Sequence, residues 1–422
     1  MISNFKTSAA LSFFLTATAC ASSSNEILPV PERSANSEAS KSESSGALPG
    51  TPAPSLALQA ASLDEIVAEL SKSATRLVDR AISPAERIPG LVVGIVTENG
   101  SKVVGFGTTR ALNGNVPNGD TYFGIGSVTK VFTGLVLAEV VQNGSVRLDD
   151  KANEYLPAAL QLPSDAITLQ QLVTHASGLP NYPGNLSDFR DNDNDGMADS
   201  TESSPGRNYA RQNLADWLAT KPALGFNPGA SARYSNLGIG VLGLLLQEKL
   251  NLGSFDAMMS DRITKPLGMS RTQANTPEMQ SENLVNKAQG YSEGTEPKPM
   301  PFADMGVLDG SGELVSTAND MNKFLEGLVG ISQTALTPAF KEANRSLASF
   351  GENKMAYASA IAASSKGGTY AFKPGGTPGY SAIILWRTHP KVGIVVMANR
   401  GGSKANDKVN NLGKVLIEAS VR

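Results

Sequence analysis

The chain predicts an α+β fold in which one antiparallel sheet is flanked by helices and joined to a second, mainly helical lobe. Three features carry that prediction. Apolar runs at 91–96 and 102–106 flank an Asn99-Gly100 turn, and a second pair at 382–386 and 392–397 flanks His389-Pro390. Each pair reads as a hairpin, so both ends of the chain feed one sheet. Helical patterns at 63–81 and 407–420 bracket the hairpins and would cover one face. Between them lies a long middle with apolar helical runs at 131–140 and 237–246, enough for a lobe of its own.

From the N-terminus onward, residues 1–19 read as an export signal. Lys6 gives a weakly basic start, 9–16 is an apolar run too short to span a bilayer, and Ala17, Thr18 and Ala19 are small. Cys20, the single cysteine of the chain, follows directly. This junction resembles a bacterial lipoprotein signal, although Ala17 stands where leucine is commoner. The resemblance implies that Cys20 is acylated and anchors the protein to a membrane, facing the periplasm or the cell exterior. Residues 20–61 are rich in Ser, Ala, Pro and Glu and poor in large apolar side chains, the composition of a flexible tether. The folded domain is expected over 62–422. With 422 residues, 41% of them apolar, and a net charge of −3, the chain can bury a sizeable core and has no general affinity for nucleic acid.

Three short motifs carry chemistry. Ser127-Val128-Thr129-Lys130 sits where an extended segment, 120–126, gives way to the helical run at 131–140. A serine in a first helical turn has backbone N–H groups aimed near its side chain, and a lysine three residues on lies on the same face, within reach of the hydroxyl. That pairs a nucleophile with a proton acceptor. Tyr234-Ser235-Asn236 also precedes a helix. A phenol near two lysines can exist as phenolate or shuttle a proton, and an asparagine amide both donates and accepts. Lys373-Pro374-Gly375-Gly376 leads into the strand at 382–386, and its glycines would let a substrate backbone lie against the strand edge.

Ser-x-x-Lys, then Tyr-x-Asn about a hundred residues on, then Lys-x-Gly near the C-terminus resemble the serine β-lactamase and penicillin-binding protein superfamily, in its class C β-lactamase and DD-peptidase branch. The segments at 169–180, 226–229, 265–269 and 310–321 are similar to the same family, so the likeness runs from about residue 62 to the end. It implies Ser127 as the acylated nucleophile, Lys130 and Tyr234 as its proton-transfer partners, and Asn236 and Lys373 as groups that orient the substrate. It also implies an oxyanion hole of backbone N–H groups from Ser127 and Gly376. In one place the chain departs from the lactamases of this branch, because Pro374 stands where their triplet has threonine and removes a hydroxyl that faces a β-lactam carboxylate. The expected substrates are D-Ala-D-Ala peptides, then β-lactams, with small esters or amides as the alternative. A Ser-His-Asp hydrolase would need a well-placed imidazole. The chain has two histidines, His175 in a turn and His389 before Pro390, and both read as structural or solvated.

A further motif lies outside this set. Asp191, Asp193, Asp195, Met197, Asp199 and Glu202, with Gly196, match the ligand positions of a twelve-residue calcium loop, the Met197 ligand being its carbonyl. Calcium is expected here as a structural ion with no part in catalysis. A non-catalytic calcium-binding surface protein is the competing reading from a different class.

Overall fold

Eight antiparallel strands make one sheet in which the N-terminal hairpin is sewn to the C-terminal one. The strands are β1 (Gly90–Thr97), β2 (Gly100–Gly107), β3 (Ala348–Phe350), β4 (Asn353–Met355), β5 (Ala360–Ala363), β6 (Thr369–Gly376), β7 (Ser381–Thr388) and β8 (Lys391–Ala398). Their order across the sheet is β2-β1-β8-β7-β6-β5-β4-β3. Val93 of β1 faces Val396 of β8, which in turn faces Ile383 of β7. This computed structural model describes residues 59–422 apart from 80–82, 112, 190–207, 275, 282–283 and 352. Cys20, the tether up to residue 58 and the acidic loop 191–202 lie outside the described residues.

The central strands read as unbroken apolar runs because both faces of the sheet are covered. Alternate residues divide between two cores: Leu91, Val93 and Ile95 join Ile394 and Val396 in one, while Val92 and Val96 join Val395 and Met397 in the other. The first core is closed by helices α1 (Leu63–Val78) and, at the far end of the chain, Ser403–Ala419. Helix α1 begins at Ser62, whose hydroxyl accepts from Glu65 N–H while the Glu65 carboxylate accepts from Ser62 N–H, and its Ile66, Leu70 and Ala74 form the inward stripe.

The second core lies between the other sheet face and the helical lobe. Helices α2 (Thr129–Gln142) and α3 (Asn236–Leu250) are buried almost all round, which is why their sequences are apolar on every side. Helix α4 (Ala318–Leu328) joins lobe to sheet, with Phe324 stacked on Phe132 of α2 at a centroid distance of 4.0 Å. The closing helix, α5 (Ser403–Ala419), starts four residues before the sequence pattern indicates. Its first turn is capped by the carboxylate of Glu293, which accepts from the N–H groups of Ser403 and Lys404, so the cap is tertiary and absent from the local sequence.

Candidate active site

Ser127 lies in a single 3-10 turn, Gly126–Val128, one turn ahead of the helix expected to contain it. Two glycines allow the end of β6 to touch this turn. Gly126 has φ +49°, and a Cβ there would sit 2.9 Å from the Gly376 nitrogen; a Cβ on Gly375 would sit 2.1 Å from the Ile125 carbonyl oxygen. The Gly376 peptide is thereby held beside the backbone of Ser127. Strand β5 pairs with β6 only as far as Phe372, and β7 pairs with it through Gly376. Among the described strands, none takes up the other edge of Lys373 to Gly376.

The side chains of Ser127, Lys130, Tyr234 and Asn236 form one connected network. Tyr234 donates to Ser127 Oγ at 2.5 Å, and Lys130 Nζ lies 3.0 Å from the same oxygen. The amine also donates to Asn236 Oδ1 at 2.6 Å and to the Ser311 carbonyl. Lys130 and Lys373 are both 0% exposed, and their amines lie 4.8 Å and 4.7 Å from the centre of the Tyr234 ring. The structure therefore brings together all six residues expected in this site: Ser127, Lys130, Tyr234, Asn236, Lys373 and Gly376.

Burial, with Lys373 close by, holds Lys130 well below the ordinary lysine range, and burial does the same to Lys373. Burial pushes the Tyr234 phenol above the usual tyrosine range, and its hydrogen bond to Ser127 offsets only part of that. The phenolate, one of the two forms open to Tyr234 from sequence, is not the one that burial favours. Both lysines are desolvated, which disfavours their charged forms and weakens the field they set against the cost of burying an anion. Burial thus favours the neutral amine of Lys130 and the intact phenol of Tyr234.

The hydrogen bonds can be satisfied by a neutral amine, the form needed of a base. A neutral amine has two N–H donors and one lone pair, and Asn236 Oδ1 and the Ser311 carbonyl accept both donors. In that form the lone pair is left for the Ser127 hydroxyl hydrogen, while Ser127 Oγ accepts from Tyr234. Every proton in the chain from Tyr234 through Ser127 to Lys130 then points one way. Asn236 thus braces Lys130, a contact beyond the substrate-orienting role that the family resemblance implies.

Two residues of the 174–182 segment support the network. His175, 1% exposed and left-handed at φ +61°, accepts through its backbone oxygen from Arg233 N–H at 2.9 Å and through Nδ1 from Ser235 N–H at 3.3 Å. It grips the chain on both sides of Tyr234 and lays its ring 4.6 Å from the Tyr234 ring. Burial, then the two lysines, hold this imidazole below its ordinary range, so it stays uncharged. Asn181 accepts from the N–H and the side-chain amide of Asn236. The sequence shows His175 inside the family-like segment 169–180 and Asn181 just after it, and it gives no sign of what they touch. His389 is exposed in the β7–β8 turn, as expected.

Residues 63–418 match the family model named Beta-lactamase. The chain belongs to the Beta-lactamase family. Similar curated members are β-lactamases of Escherichia coli (strain K12), 29% identical over 59% of this chain and 60% of that protein, and of Pseudomonas fluorescens, 28% identical over 60% and 63%. These matches span less than two thirds of either relative. A β-lactamase of Lysobacter lactamgenus is 23% identical over 74% of this chain and 83% of its own length. Among solved structures, a D-alanine carboxypeptidase from Burkholderia cenocepacia superposes with a TM-score of 0.64 at 22% identity, covering 83% of this chain and 99% of that one. A class C β-lactamase gives 0.69 at 18% identity, with 85% and 97% covered. At such identities the likeness is one of fold. The Beta-lactamase family is of the serine β-lactamase and DD-peptidase type, and its catalysis needs no cofactor. Among the described residues no group of three or more His, Cys, Asp or Glu side chains is placed to hold a metal ion, and the acidic loop 191–202 lies outside them.

Proposed function

We propose that this Beta-lactamase family member is an exported serine hydrolase that works through an acyl-enzyme on Ser127. The observation that carries the reading is the meeting of Tyr234 and a buried Lys130, whose charged form burial disfavours, at the Ser127 oxygen. Lys130 takes the Ser127 proton as Oγ attacks the substrate carbonyl carbon. The resulting oxyanion is met by the N–H groups of Ser127 and Gly376. Tyr234 then gives its proton to the departing nitrogen or oxygen, the acyl bond to that atom breaks, and Lys130 returns the proton it took. Water repeats the sequence in reverse to free the acid and restore Ser127.

D-Ala-D-Ala peptides are the leading substrate class and β-lactams the next. A peptidase would cut as a carboxypeptidase or endopeptidase. The open edge of β6 supports an extended substrate lying beside Lys373 to Gly376. Pro374 favours the second reading, small esters or amides on the same scaffold, because it offers no hydroxyl to a substrate carboxylate. Intact mass measured over time after mixing with a penicillin separates the three. A persistent adduct identifies a penicillin-binding peptidase, a transient one with turnover a β-lactamase, and none a hydrolase of esters or amides. A wholly non-catalytic surface protein would have no use for the aligned network, and failure of every acyl donor to react would restore that reading.

Two features outside the described residues complete the proposal. The spacing of Asp191, Asp193, Asp195, Met197, Asp199 and Glu202 supports a structural calcium ion, which binds extracellular loops of this type at roughly 0.1–1 mM. Millimolar calcium should then raise Tm by mass action, and Glu202→Gln should remove the rise without changing acylation. Identical melting curves in calcium and in chelator would discard the ion. Cys20 supports a lipid anchor, so Cys20→Ser should move the protein from the membrane fraction to the soluble one. Unaltered membrane association would refute the anchor.

A further inference from the structure

The orientation of the Asn236 amide is set from outside the three motifs. The backbone N–H of Asn236 can only donate, and it donates to Asn181 Oδ1 at 3.1 Å. That fixes which end of the Asn181 amide faces Asn236. The same oxygen accepts from Asn236 Nδ2 at 2.8 Å, so Asn236 must turn its own Oδ1 toward Lys130, at 2.6 Å. Asn181 is itself anchored, since its carbonyl accepts from Leu237 N–H at 2.9 Å and the neighbouring Pro180 carbonyl accepts from Ser235 Oγ at 2.7 Å. Turned the other way, Asn236 would present N–H donors to Lys130, and the amine would have to spend its lone pair on them. It could not then accept the proton of Ser127.

We propose that Asn181 is a positioning residue that keeps the Lys130 lone pair on Ser127 by locking the Asn236 amide. The inference rests on the acyl-enzyme reading and adds to it a residue that touches neither substrate nor nucleophile. Removing Asn181 frees the amide to rotate, so the defect lies in the proton-transfer step and leaves substrate binding nearly unchanged.

The test is a double-mutant cycle read with p-nitrophenyl acetate, and in parallel with a fluorescent penicillin. Asn181→Ala should lower kcat, or the acylation rate, by about tenfold or more while KM stays within about twofold, because general-base transfer is worth about 10²–10⁴ in all. In an Asn236→Ala background the same change should alter the rate by less than about twofold, since there is no amide left to lock. Equal losses in both backgrounds would overturn the proposal, as would a wild-type rate in a folded Asn181→Ala protein. If Asn181→Ala does not fold, Asn181→Asp serves instead. Its carboxylate still accepts both Asn236 donors and adds an anion near Lys130, alongside Tyr234, Lys373 and His175. The alkaline plateau should be kept and the acid limb of the rate should move to higher pH, because an anion favours the charged amine. An unmoved limb would contradict the role. Failure of this inference is distinct from failure of the serine reading: the first leaves Ser127→Ala inactive, the second does not.

Discussion

Ser127→Ala is expected to abolish turnover and covalent labelling, with a loss of about a thousandfold or more, the scale seen when an activated nucleophile is deleted. The fold should survive. Ser127 is half-buried and its backbone belongs to a short turn held by Val128 N–H on the Ile125 carbonyl. Loss of the hydroxyl removes one acceptor from Tyr234 and one contact from Lys130, while Asn236 and the Ser311 carbonyl keep the amine in place. A change in stability within about 1 kcal/mol is anticipated for so small a substitution. Activity near wild type in a protein with an unchanged melting curve would remove Ser127 from the account.

Lys130→Ala and Tyr234→Phe should each cost about 10²–10⁴ in kcat/KM, the usual worth of a placed acid or base. The double mutant should lose far less than the product of the two factors, because both groups meet at one oxygen and act in one proton transfer. Melting curves are needed beside the rates, since Lys130→Ala leaves the Ser311 carbonyl and Asn236 Oδ1 buried without their donor. The pH dependence follows in sign. Acylation needs Lys130 uncharged, so the rate rises as the amine loses its proton. Burial and the nearby Lys373 push that event below the ordinary lysine range, so the limb lies on the acid side of about 10.4. It belongs to the coupled site as a whole, and Tyr234→Phe should move it. Additive losses, or a limb unmoved by Tyr234→Phe, would count against a shared role.

What could be read from the residues was whatever is local. Ser127, Lys130, Tyr234 and Asn236 announce themselves at loop-to-helix junctions, where fixed spacing alone brings groups to one face. The central strands announce themselves by apolar runs, because both of their faces are buried and no polar alternation interrupts them. Strands β3, β4 and β5 did not, being only three or four residues long, with β3 and β4 also mixed in polarity. The start of α5 was hidden because its cap is Glu293, over a hundred residues away. The same reason hid Asn181, His175 and the Ser311 carbonyl: each acts across a tertiary contact that no spacing encodes. The choice between phenolate and proton shuttle for Tyr234 was open from sequence, which shows two lysines and conceals that all three groups are buried together.

The most direct test of the central claim is to find which atom is modified. The intact protein is exposed to a fluorophosphonate, which phosphonylates activated serines whatever their natural substrate, then digested, and the adduct is located by mass spectrometry. The account predicts a single adduct on Ser127, formed slowly or not at all in Tyr234→Phe and absent in Ser127→Ala. An adduct on another residue that accompanies loss of activity, with Ser127 unmodified, would contradict it.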